Sequence, residues 1–170
     1  MNRLAPAAAA LALAGCGSLL SFDVHQTATA DIPAGGPLSG ALGGFAGFNS
    51  LSFNQSSEFR NNNTSKDHIS ECRLKQLTLK VVNPTGADLS FLTKVEFFVQ
   101  APNLASRRIA SGTSFPKGVA SVDLIADNVD LAPYAKSDSF SITTSATGTS
   151  PSQNTTLQAD LTLNVHASIL

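Results

Sequence analysis

The run Leu157-Gln158-Ala159-Asp160-Leu161-Thr162-Leu163-Asn164-Val165-His166-Ala167-Ser168-Ile169 decides the fold class. Its odd positions are apolar and its even positions polar, without exception over the whole stretch. A helix would scatter those apolar side chains around its circumference, whereas a strand gathers them on one face. Upstream, Phe140, Ile142, Thr144 and Ala146 alternate with Ser139, Ser141, Thr143 and Ser145, and a breaker-rich segment from Thr147 to Ser152 follows. Together the two runs predict a long hairpin with one apolar and one Ser/Thr-rich face, the pattern of an antiparallel sheet with one side in water.

Shorter runs at 22–30, 51–53, 74–82, 94–99, 107–110 and 119–124 read as further strands. Asn83-Pro84-Thr85-Gly86, Ala101-Pro102-Asn103 and Phe115-Pro116-Lys117-Gly118 separate them, because proline lacks the amide that a central strand must donate. One short helical turn is expected near 129–135, with Asp130 at its start. Composition agrees with a strand-rich chain: 21 Ser and 14 Thr, no Trp, and only 14% charged residues. Seven or eight short strands at this spacing predict an all-β, Ig-like antiparallel two-sheet sandwich. Leu79-Lys80-Val81-Val82-Asn83-Pro84, followed by Leu89, resembles the strand and Asn-Pro turn of the water-stress (WHy or LEA-14-like) sandwich domain. That resemblance implies the same fold class and assigns no functional residue.

Residues 1–15 read as an export signal: Arg3, then Leu4, Ala5, Ala7 to Ala10, Leu11, Ala12 and Leu13 without charge. The stretch is too short to span a bilayer, which needs about 20 apolar residues. It ends in Leu13-Ala14-Gly15-Cys16, which resembles the lipobox of bacterial lipoprotein precursors. The resemblance implies cleavage before Cys16 and acylation, with palmitate among the acyl chains, of its thiol and new amino group. It therefore makes membrane lipid the first partner. Gly17, in place of an Asp, implies passage to the outer membrane by the same analogy. Ala12-Leu13-Ala14 also fits an ordinary cleaved signal, so soluble secretion is the competing expectation. Residues 16–170 then form a single sandwich domain. A lipidated Cys16 leaves Cys72 without a disulfide partner, whereas soluble export would let the two pair.

Eleven Lys and Arg against twelve Asp and Glu, net −1, exclude an electrostatic nucleic-acid binder. No Gly-x-Ser-x-Gly elbow, phosphate-cradling loop or paired-carboxylate constellation is present, so neither an enzyme nor a cofactor is expected. His68 and Cys72 would share a face on a helix as two zinc ligands, but a structural site takes four. The alternative is a polar lead-in to a strand, with Ile69 and Cys72 packed inward. Ile32 to Ser57 is charge-free and glycine-rich, and predicts a long connection after the first strand. Its Phe45 and Phe48 either cover one end of the sandwich or form an exposed contact surface for partner or lipid. The function expected is a membrane-anchored, non-catalytic binding or structural module of the envelope, acting on an unknown ligand or envelope protein. A soluble secreted ligand-binding module and an envelope hydrolase are the alternatives.

Overall fold

The computed structural model describes residues 19–35, 38, 45–53 and 56–169. Within them eight strands form two four-stranded sheets, the expected all-β sandwich. The first sheet runs β1 (Leu19–Ile32), β8 (Thr155–Ser168), β2 (Ile69–Asn83), β5 (Ser121–Asp123). The second runs β6 (Ile125–Ala126), β4 (Leu104–Gly112), β3 (Leu92–Ala101), β7 (Ser141–Gly148). Every neighbouring pair is antiparallel.

β8 lies inside the first sheet, between β1 and β2. Its residues are buried and half-buried by turns from Thr155 to Ser168, and Leu157, Leu161, Leu163 and Val165 lie inside against the second sheet's core of Val95, Phe97, Val99, Ile109 and Ile142. Each buried Leu of this kind stabilises the fold by about 1.5–3 kcal/mol. The outward residues of the same strand reach neighbours on β1 and β2. Thr27 donates to Asp160 at 2.8 Å, His25 meets Thr162 at 3.0 Å, and Lys80 pairs with Asp160 at 2.8 Å. β1 pairs with β8 along its full length, from Leu19 opposite Ser168 to Ile32 opposite Thr155.

The expected hairpin is not formed. β7 is an edge strand of the second sheet and β8 lies inside the first, so residues 149–154 cross between sheets. One apolar face per strand is equally compatible with pairing side by side and with packing face to face across a core about 10 Å thick. Alternation therefore fixed which side chains are buried without fixing the pairing partner. Two further elements differ in the same way. The run at 51–53 contributes only a single bridge, Leu51 to Phe140. Of the run at 119–124 only Ser121–Asp123 pairs, in the first sheet, and Ile125–Ala126 just beyond it joins the second, with buried Leu124 between them donating its amide to Leu77 O at 2.9 Å. This switch closes one side of the sandwich.

The short helix Ala132–Ala135 sits where a helical turn was expected. Asp130 organises it, accepting from Ala132 N at 2.9 Å and from Cys72 N on β2 at 3.1 Å. Tyr134 then donates its hydroxyl to Ala105 O on β4, so one turn of helix joins both sheets.

Candidate functional site

Cys16 lies outside the described residues, and only Gly17 and Ser18 separate it from the start of β1. Phe45 and Phe48 are described, and of the two roles expected for them the exposed contact surface is corrected, because both are completely buried as a cover of the sandwich requires. Phe45 stacks on Phe97 at 5.6 Å and lies 6.0 Å from Phe48. The segment enters the core because Gly47 packs directly against β1, where an added Cβ would stand 3.0 Å from Ala28 Cβ and 3.2 Å from Thr27 O. A charge-free run is as compatible with burial as with exposure, and here the apolar gain of closing the sandwich decides.

The segment around His68 and Cys72 is not a helix. His68 ends a three-residue 3-10 turn and its Nδ1 meets Ser65 Oγ at 2.9 Å, whereas Ile69 and Cys72 face inward on β2. Burial pushes the Cys72 thiol up to about 12, with the nearby Asp130 and Glu71 charges adding to the effect. Such a thiol is protonated at neutral pH and is no nucleophile. Among the described residues, no three His, Cys, Asp or Glu side chains converge.

What the sheet topology assembles is a cleft of about 430 Å³ at one end of the sandwich. Two connections form it: residues 84–91, between β2 and β3, and residues 149–154, between β7 and β8. Thr85, Ser90, Thr149, Ser150, Ser152 and Gln153 supply hydroxyl and amide groups, and Pro84, Phe91 and Pro151 supply ring surface. The Asn83-Pro84 peptide at its edge is cis.

Backbone contacts hold the walls in place. Thr149 N donates to Phe91 O at 2.8 Å, and Gly148 is packed so closely that an added Cβ would fall 2.1 Å from that same oxygen. Ala34 N donates to Asn154 Oδ1 at 2.9 Å and Gly35 N to Pro151 O at 3.4 Å, tying the chain after β1 to the same end. Among the described residues, Asp88 is the one ionisable side chain in the lining. The Ser90 hydroxyl, then the Gly118 and Ser90 amides, donate to its carboxylate and hold its pKa below the usual value. That carboxylate fastens residues 84–91 to the 113–118 connection.

Reading the sequence missed this cleft, because the Asn83–Gly86 and Thr147–Ser152 stretches registered only as breakers. They are more than sixty residues apart, and nothing local in either run announces that the two ends meet.

The chain matches no family model, and no curated protein matches it. Solved structures are similar to it at low identity and low TM-score. The Desmodium yellow mottle tymovirus structure is 14% identical with a TM-score of 0.33, over 99% of this chain and 98% of that one. The structure of Turnip yellow mosaic virus at 100 K is 14% identical with a TM-score of 0.25, over 89% of this chain and 96% of that one. The mud crab tombus-like virus structure is 8% identical with a TM-score of 0.29, over 90% of this chain and 92% of that one.

Proposed function

We propose that this chain is a lipoprotein of the bacterial outer membrane, anchored by acylated Cys16, and that its sandwich is a non-catalytic binding module whose working end is the polar cleft. The observation that supports this reading is the unbroken pairing of β1 with β8. Leu19 begins the strand three residues after Cys16, so the attachment point lies within about 11 Å of it. The strand then runs through fourteen residues to Ile32 opposite Thr155, a lining residue of the cleft. At about 3.3 Å per residue, that strand separates the two ends by roughly 40 Å. A domain held by Cys16 thus presents the cleft away from the lipid, at the end where a ligand has access. More than one acyl chain is needed for stable anchoring, which a lipoprotein N-terminus supplies.

Labelled palmitate fed to cells expressing the wild type and Cys16→Ser tests the anchor, with label expected in the first alone. Equal labelling would overturn it. The orientation is tested on vesicles bearing the lipidated protein, with a fluorophore attached at Ser70→Cys, beside the Leu19 end, or at Ser152→Cys, in the cleft. Ser70 donates to His166 O and so marks the anchored end. A nitroxide lipid should quench the first probe and spare the second. Equal quenching would show that the domain does not stand in this way.

A further inference from the structure

The chemistry of the cleft narrows its ligand, and we propose that it binds a neutral glycan. This inference rests on reading the cleft as the working end of a binding module; it does not depend on the anchor.

Among the described residues the lining has no Lys, Arg or His, and the nearby Lys117 charge, outside it, already acts on Asp88, so no cation of the lining neutralises a phosphate, sulfate or carboxylate. Its only carboxylate, Asp88, already accepts three hydrogen bonds from Ser90 and Gly118. A lone carboxylate occupied in that way offers neither a metal site nor an ion-pair partner for a cationic ligand. The remaining polar groups are neutral and able both to donate and to accept, which is what the hydroxyls of a sugar require. The side chains of Thr85, Thr149, Ser152 and Gln153 make no hydrogen bond with the other described residues, so their capacity is open to a ligand. Phe91 and Pro84, each half-buried, add flat apolar surface against which the C–H face of a sugar ring can lie.

Shape and rigidity agree with the chemistry. About 430 Å³ falls inside the range of roughly 300–1,000 Å³ for small-molecule sites. The walls are fixed by the Thr149 to Phe91 and Asp88 to Gly118 hydrogen bonds, which limits the ordering cost of binding. A long apolar peptide or acyl chain finds little to match in a lining dominated by hydroxyls.

The test uses the full lipidated protein in a detergent whose headgroup is not a sugar, titrated calorimetrically with neutral tetrasaccharides of glucose and of N-acetylglucosamine, and with tetraglycine. Saturable binding of at least one tetrasaccharide is expected, with a Kd below about 1 mM. Gln153→Ala and Thr149→Val should each weaken it about five- to tenfold, by loss of one hydrogen bond, with the melting temperature unchanged. Binding of neither sugar would overturn the proposal, as would sugar binding untouched by both variants, or tetraglycine bound in place of sugar. Cys16→Ser protein, run in parallel, should bind sugar as the wild type does. Wild-type protein that takes up no palmitate yet binds sugar would remove only the anchor, whereas palmitate labelling without sugar binding would remove only the glycan.

Discussion

Phe45 stacks on Phe97 with their planes 30° apart, so residues 45–48 are locked onto an inner strand of the opposite sheet. Phe45→Ser should therefore behave as a core truncation and cost about 3–5 kcal/mol, read as a fall in the denaturation midpoint. A wild-type midpoint would place the ring outside the core.

The register of β8 predicts a contrast between adjacent positions. Leu163→Asp buries a carboxylate without a partner and should cost several kcal/mol, whereas Thr162→Ser, on the outward half-buried face, keeps the hydroxyl that meets His25 and should stay within about 1 kcal/mol. Asn164→Asp is less innocent than its outward position suggests. The Asn164 amide donates to Asp23 Oδ1 at 2.8 Å, so an aspartate there sets two like charges side by side. Its deficit at neutral pH should shrink as the pH falls through the carboxylate range. Urea melts of the three variants at two pH values check the whole pattern.

Cys72 predicts a silent thiol. Completely buried and with its pKa raised to about 12, it should resist a thiol reagent in the native state and react once urea unfolds the domain. Rapid native labelling would mean that β2 opens locally around it.

Acid should destabilise the fold in a defined window. Lys75 beside Asp23, Lys94 and Arg108 beside Glu96, the Thr78 hydroxyl at Asp123 and the Ser90 hydroxyl at Asp88 each hold a carboxyl below its ordinary value. A carboxyl with a folded pKa below its unfolded one contributes stability that is complete above the unfolded value, about 4, and lost as the pH falls through the folded value. The melting temperature should accordingly be flat above about pH 5 and decline below about pH 4. Salt should weaken the part due to the ion-paired Asp23 and Glu96 and leave the part due to the hydroxyl-bonded Asp123 and Asp88 largely in place. A melting temperature that rose on acidification would contradict the assignment.

Gly148→Ala tests the base of the cleft. The added methyl would meet Phe91 O at 2.1 Å and Leu92 Cα at 2.9 Å, forcing residues 84–91 and 149–154 apart. A loss of about 2 kcal/mol or more is expected, together with weakened ligand capture. Gly86→Ala, where an added Cβ meets nothing within 4 Å, carries only the strain of its positive φ and should cost less.

Period-two alternation in Leu157 to Ala167 determined that this segment is a strand with its odd side chains inside, because side-chain direction along a strand is a local property of the backbone, whereas Ile169, beyond the end of β8, is exposed. The breakers at Asn83-Pro84, Ala101-Pro102 and Pro116 likewise marked chain reversals through the missing proline amide. Partnership was beyond such reasoning. An apolar face is satisfied equally by any apolar surface, so β7 and β8 looked like one hairpin until the structure set them in opposite sheets. The same indifference left Phe45 and Phe48 open between burial and exposure, and the close fit of Gly47 against Ala28 decided for burial. The cleft is the furthest from the sequence: its walls come from two breaker-rich connections that acquire a common site only when β2 and β8 pair and β3 and β7 pair, which brings Pro84, Phe91, Thr149 and Thr155 to one end of the sandwich.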